Sequence, residues 1–213
     1  MSRAHLYPLR IAVCWFFSWE EYGARFARRM LMNYSEIKYF DIANGAGIRT
    51  TLFVSGCRHH CKGCFNPDTW AFEAGRPYSR EVESQILSNL EPAYVDGLTL
   101  LGGEPFEPES QDVLIALLER VRAERPGKNV WAYSGFTWEQ LTQGPSRAHT
   151  NHVMQMLSMV DVLVDGPFVL EQKDITLRFR GSSNQRIIDV RRSLEAGATT
   201  LWEDDPLFTT HTW

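Results

Sequence analysis

Cys57, Cys61 and Cys64 stand in a C-x3-C-x2-C run directly after the apolar stretch Thr51-Leu52-Phe53-Val54-Ser55. Spacings this short let one loop wrap one inorganic centre, with thiolates converging from three sides. Iron–sulfur clusters are ordinarily held by four protein thiolates. Three thiolates leave one iron free for another ligand, as catalytic zinc keeps a position open. An open iron beside a bound small molecule does chemistry, whereas a closed site builds structure. The run also admits two other readings. His59 or His60 could complete a structural Cys3His zinc site, although no second C-x2-C or H-x3-H follows. Three thiols with no ligand role would be an oxidation hazard.

The second candidate is Gly102-Gly103-Glu104-Pro105, at the C-terminal end of Leu98-Thr99-Leu100-Leu101, which reads as a short buried strand. Paired glycines remove side chains where a ligand must approach the backbone closely. Glu104 can then offer a carboxylate, and the adjacent main-chain carbonyls can offer acceptors, to an ammonium group. The same residues also read as a plain turn between strand and helix.

Elements that would position these residues alternate along the chain. Thr51–Ser55 reads as a strand leading into the cysteine loop. Ser79 can cap a helix with Val82, Ile86, Leu87 and Leu90 on one face. After strand Leu98–Leu101, Ser110 opens a longer helix aligned on Val113, Leu114, Leu117, Leu118 and Val121, and Pro126-Gly127 stops it. Val130–Tyr133 and Val162–Val164 read as further strands, with a helix near His152–Met159 between them. This β-α-β-α order implies an α/β fold with parallel strands and right-handed crossovers. Ligand loops then sit at the strand C-terminal ends, as in (β/α) barrels, and both motifs do. Too few units remain for eight, so the expected fold is a partial, open (β/α) barrel whose open side can admit a macromolecular substrate.

The chain has 213 residues, 44% of them apolar and 23% charged, which suits a globular fold with a real core. A net charge of −4 gives no basic footprint for nucleic acid. No apolar run reaches the ~20 residues needed to span a bilayer, so no membrane partner is expected. Four cysteines, three of them clustered, point to a reducing compartment rather than a disulfide framework, hence the cytoplasm. Residues 1–31 carry no motif and read as an N-terminal extension ahead of a possible true start at Met32. The expected domain spans residues 32–190, with a loose C-terminal tail over 191–213.

The cysteine run paired with the glycine motif resembles the radical S-adenosylmethionine enzymes. Asp41-Ile42-Ala43-Asn44-Gly45-Ala46-Gly47-Ile48-Arg49, Ser55-Gly56-Cys57 and Cys64-Phe65-Asn66-Pro67-Asp68-Thr69-Trp70 are similar to the glycyl-radical-enzyme activases within that group. Val162–Phe168 and Arg180–Gln185 resemble the branch acting on the anaerobic ribonucleoside-triphosphate reductase. The resemblance covers roughly Met32 to Asp189. It implies a [4Fe–4S] cluster on Cys57, Cys61 and Cys64, with S-adenosylmethionine on the fourth iron. It further implies that Gly102, Gly103 and Glu104 hold the methionine end and that Gly63, Cys64 and Phe65 pass close to the adenosyl part. The implied partners are the reductase large subunit and a reduced flavodoxin or similar electron donor. Gly45-Ala46-Gly47 departs from the Gly-Pro-Gly common in the family. Gly63 stands where many of these enzymes carry an aromatic, so Phe65 is the ring expected to replace it.

Asp165, before Gly166-Pro167, either makes a turn or meets a ribose hydroxyl. Arg178, Arg180, Ser182, Ser183 and Asn184 form a polar cluster, either a solvated loop or a cofactor or partner contact. Trp131 and Trp138 read as packing residues. A pyruvate formate-lyase-type activase and a zinc-stabilised binding module are the competing functions, and the second would leave Gly102–Pro105 unexplained.

Overall fold

A computed structural model describes residues 32–204; the extension over 1–31 and the end of the tail lie outside the described residues. Within them, strands β1 (Asn33–Asp41), β2 (Arg49–Val54), β3 (Arg76–Pro77), β4 (Gly97–Gly102), β5 (Asn129–Tyr133), β6 (Val162–Asp165) and β7 (Arg186–Asp189) form one sheet in the order β3-β1-β2-β4-β5-β6-β7. The central strands β2, β4, β5 and β6 are parallel, as their helical crossovers require. Both margins are antiparallel, β1 and β3 on one side and β7 on the other, so the expectation of parallel strands holds only for the centre. The sheet is mixed and open.

Two β-bulges explain why β1 escapes a period-two reading of the sequence. The register to β2 slips between Tyr34 and Glu36 and again between Lys38 and Asp41, so apolar positions do not alternate. β3 and β7 are too short, at two and four residues, to leave a periodic signal.

Helices α1 (Arg80–Asn89), α2 (Pro108–Glu124), α3 (Trp138–Thr142), α4 (Val153–Leu157) and α5 (Val190–Ala196) complete the chain. Ser79 caps α1 by accepting a hydrogen bond from the Val82 N–H at 3.4 Å. α2 starts two residues before Ser110, at Pro108, where the missing N–H costs nothing and the ring fixes a helical φ. α3 was not expected, yet Thr137 and Gln140 form a capping box at its start.

Helices cover one face of the sheet only. Leu52 and Val54, Leu98 and Leu100, Val130 and Ala132, and Leu163 point to that face and join Ile86, Leu114, Leu117 and Leu157 in the main core. The alternate residues face the other way, and register aligns Thr51, Thr99, Trp131 and Val162 across it. This inner face is covered by loops: Trp131 meets Phe179 at 5.3 Å and Trp202 at 5.0 Å between ring centroids. Trp131 and Trp138 are both buried, as packing residues. Trp202 also donates its N–H to Ile187 O at 2.9 Å, and α5 precedes it, so the tail is folded through residue 204 rather than loose.

Gln185 organises the polar cluster after β6. Its side-chain oxygen accepts from the N–H of Gly181 and Ser182, its own carbonyl accepts from Arg180, and Asn184 donates to Pro167 O. Arg186 then clamps β7 to the helical face, pairing with Asp165 and, at 2.9 Å, with Glu139 on α3. The Arg186 hydrogen bond holds the Glu139 carboxyl down to about 2, against an ordinary value of 4.5. A depressed carboxyl stabilises the fold above its unfolded pKa, and that contribution is lost as pH falls from 4.5 toward 2. Glu139→Gln should therefore flatten the acid limb of stability in that window. Urea midpoints measured at several pH values for both proteins check this, and unchanged acid sensitivity would refute it.

Candidate functional site

The carboxyl ends of β2, β4 and β5 meet at one point, and the cysteine loop lies over it. Backbone hydrogen bonds fix the loop at both ends: Gly56 N–H to Thr69 O at 2.8 Å, Cys57 N–H to Trp70 O at 3.0 Å, and Cys64 N–H to Cys61 O at 3.0 Å. Main-chain donors are aimed at the sulfurs. Asn66 N–H lies 3.3 Å from Cys64 Sγ. Burial is the largest influence on the other two thiols, opposed by the main-chain N–H groups of His59 and His60 at Cys57 and of Phe168 at Cys61. Burial pushes the Cys57 thiol up to about 11 and raises Cys61 as well. Thiolates here need compensating positive charge, which the irons of a cluster would supply.

A single metal ion fits less well. No group of three His, Cys, Asp or Glu side chains among the described residues closes on one ion position. Both imidazoles are engaged elsewhere: His60 stacks on Trp70 at 4.6 Å, and His59 Nε2 lies 3.0 Å from Glu104 Oε2. A cluster, whose irons hold their ligands further apart, suits the donor set better than a Cys3His zinc site.

The glycine motif is zipped to the start of this loop. Gly103 N–H donates to Val54 O at 2.7 Å and Glu104 N–H to Gly56 O at 2.8 Å. A β-carbon on Gly103 would lie 2.5 Å from Gly56 O, and one on Gly102 would lie 2.7 Å from the Phe53 Cα. The glycines thus admit the neighbouring strand and the cysteine loop, where the sequence suggested approach by a ligand. Glu104 is buried, and its carboxylate is well occupied: Oε1 accepts from Phe106 N–H at 2.9 Å and Ser134 Oγ–H at 3.0 Å, and Oε2 accepts from Gly135 N–H at 2.7 Å.

Gly63 leaves room for Leu170, whose side chain would lie 2.9 Å from an added β-carbon. Phe65 is largely exposed, packs edge-on against Phe168 at 5.1 Å, and carries Lys173 over its ring. Asp165 faces the other way. Strand alternation places Val164 on the inner face and Asp165 on the helical face, where it accepts from Trp138 N–H at 2.6 Å and pairs with Arg186. Its carboxylate is therefore not offered to a ribose on the inner face in this arrangement.

Sequence reasoning passed over several residues that build the site. Glu107 is fully buried, taken by Arg58 at 2.8 Å and Arg147 at 3.0 Å. Burial opposes its ionisation, but the hydrogen bonds from Arg147 and Arg58 outweigh that and hold its carboxyl low. Ser134 and Gly135 occupy the end of β5 as Gly102 and Gly103 occupy the end of β4, a repeated small-residue signal at successive strand ends. On the inner face, Ser55 Oγ and Tyr133 OH are buried without partners, as is Asn184 Oδ1 in the loop beyond β6. Buried polar atoms left single in this way want a ligand or water.

Thiols on one loop at the carboxyl ends of parallel strands define the class, and the model of the 4Fe-4S single cluster domain matches residues 43–188. The chain is 40% identical over 162 residues to the anaerobic ribonucleoside-triphosphate reductase-activating protein of Escherichia coli (strain K12), covering 75% of this chain and all of that one. It is 43% identical over 158 residues to the protein of that name from Pasteurella multocida, covering 73% of this chain and 96% of the relative. The counterpart from Enterobacteria phage T4 is 35% identical over 158 residues, covering 73% and 93%. The chain belongs to the family of anaerobic ribonucleoside-triphosphate reductase-activating proteins.

The zipper between the two motifs gives a direct test. Gly103→Ala puts a methyl group on the Gly56 carbonyl and should cut iron bound after anaerobic reconstitution several-fold, while far-ultraviolet circular dichroism stays near wild type. Full iron loading of that variant would show the close approach to be dispensable.

Proposed function

We propose that the protein reductively cleaves S-adenosylmethionine at a [4Fe–4S] cluster and thereby places a glycyl radical on the anaerobic ribonucleoside-triphosphate reductase. The observation that carries this reading is the joining of a three-thiol loop to the Gly102–Pro105 turn at the carboxyl ends of parallel strands. Among the described residues no fourth thiol accompanies these three, and the inner face holds unpaired buried hydroxyls. Membership of the activating-protein family supplies the partner.

Cys57, Cys61 and Cys64 would hold the cluster. When bound, the cluster and S-adenosylmethionine supply one-electron cleavage of a sulfonium C–S bond, giving methionine and a carbon radical that can take a hydrogen atom. The chain itself positions and shields. Gly102 and Gly103 set main-chain carbonyls beside the cluster loop as acceptors for the methionine ammonium, with Glu104 fixing their turn. Gly63, Cys64 and Phe65 would border the adenosyl side, where the exposed Phe65 ring could lie against a base. Trp131, Phe179 and Trp202 close the opposite end of the inner face against water. The open sheet leaves a way in for a partner segment, and glycine suits the hydrogen donor because no side chain obstructs its Cα. An oxidoreductase with a partial radical-enzyme barrel, a reduced flavodoxin-like donor and a cytoplasmic setting completes this reading. No helix among the described residues is long and apolar enough to cross a membrane.

Anaerobic reconstitution with iron and sulfide should give a [4Fe–4S] centre whose paramagnetic spectrum changes when S-adenosylmethionine is added. Replacing Cys57, Cys61 or Cys64 by Ala should reduce cofactor cleavage at least a hundredfold. With the reductase present, the reduced protein should generate a doublet from the remaining α-hydrogen of a glycyl radical. Stoichiometric zinc with no cluster would sink the reading, and a radical on pyruvate formate-lyase instead of the reductase would change the partner.

A further inference from the structure

His59 reaches from the cysteine loop to the Gly102–Pro105 turn through its ring. Only 15% of it is exposed. Its Nε2 lies 3.0 Å from Glu104 Oε2, off the line of an ideal hydrogen bond, and has no other partner. The ring stands edge-on to Phe136 at 4.4 Å. It also fills space that Gly135 leaves: a β-carbon there would lie 2.6 Å from the His59 Cδ2. Gly135 in turn donates its N–H to the same Glu104 oxygen. Three loops therefore converge on one carboxylate: the cysteine loop through His59, the β4 turn through Phe106 N–H, and the β5 turn through Ser134 and Gly135.

We infer that His59 is a positioning residue, which locks the Glu104 carboxylate from the cysteine-loop side so that the thiols and the ammonium-binding turn move as one unit. The contact requires the proton on Nε2. A carboxylate has about four acceptor directions; Phe106, Ser134 and Gly135 fill three of them, and the His59 ring covers the remaining side with Nε2 at 3.0 Å. Glu104 then acts on a ligand through the main chain of its turn rather than by direct contact. The placement of Gly135 follows from the same constraint, since any larger residue would push the imidazole off the carboxylate.

This inference rests on the S-adenosylmethionine reading, but part of its test does not. His59→Phe keeps a ring against Phe136 and loses the donor, whereas His59→Gln keeps a donor. In the cluster-free full-length chain, amide hydrogen exchange at Glu104, Phe106 and Gly135 should rise about tenfold in His59→Phe and return toward wild type in His59→Gln. In reconstituted protein, His59→Phe should retain its iron and its reduced-cluster spectrum, and bind S-adenosylmethionine about tenfold more weakly by calorimetry. Loss of a polar partner beside a buried charged group is worth enough for that factor. His59→Gln should recover most of the affinity. Unchanged exchange in His59→Phe overturns the lock. So does wild-type affinity in that variant, or loss of iron from it, which would make His59 a support of the cluster alone. Wild-type protein that neither binds S-adenosylmethionine nor changes its spectrum would overturn the functional reading instead, and the exchange data would still decide whether the lock exists.

Discussion

The carbonyl of Gly56 sits where a side chain on Gly103 would have to be, and the site is built around that closeness. Two main-chain hydrogen bonds, from Gly103 to Val54 and from Glu104 to Gly56, extend the β2–β4 ladder one step beyond the strands. The cysteine loop therefore leaves the sheet with its first turn already fixed against the neighbouring strand end. The cysteine loop and the Gly102–Pro105 turn could each be placed independently, but their spacing would then depend on two flexible connections. Here it depends on sheet geometry, which varies little.

The two faces of the sheet divide the labour. The helical face carries a continuous apolar core from Leu52 to Leu163, so the free energy of folding lies there. The inner face can consequently tolerate polar groups that a core would not. Arg49 is the extreme case: wholly buried, it donates to Thr99 Oγ1 at 2.6 Å, Leu98 O at 2.7 Å and Ala46 O at 2.9 Å. Burial lowers its pKa to about 10, which still leaves the guanidinium charged at neutral pH. Through the Ala46 carbonyl it holds the loop of residues 42–48, in which Gly45 and Gly47 have positive φ. Ala46 stands between those glycines where proline would stiffen the backbone, and the Arg49 contact to the Ala46 carbonyl supplies stiffness of another kind.

Much of this was legible in the chain because the signals were local. The cysteine spacing, the paired glycines at a strand end, the Ser79 cap and the apolar stripe of α2 each lie within a few residues, and each reappears in the structure. What was hidden depends on distant partners. The bulges of β1 scramble its period, and Trp202 reveals its role only when Trp131 and Phe179 are beside it. Asp165 shows the limit most plainly. Its position at a strand end was readable, but which face it takes follows from the strand's pleat, and the deciding partner, Arg186, comes from a strand the sequence does not announce.

The loops at this end of the sheet interlock through rings that occupy the space glycines leave. Phe72 fills the place beside Gly56, His59 that beside Gly135, and Phe65 with Phe168 that beside Gly181. His59 and Phe65 come from a different loop than the glycine they sit beside, whereas Phe72 and Phe168 close their own loops back on themselves. Such a construction orders backbone before any ligand arrives, and preordered backbone reduces the entropy that binding must overcome. It also explains why an exposed ring such as Phe65 can keep a defined position: Phe168 and Lys173 hold one side of it while the other remains open. An aromatic held on one side and free on the other is suited to receive a flat base by stacking, which gains from shape and needs few hydrogen bonds. Placing that ring two residues downstream of Gly63 lets the glycine keep the backbone close to Leu170 while the stacking surface moves to the rim of the site.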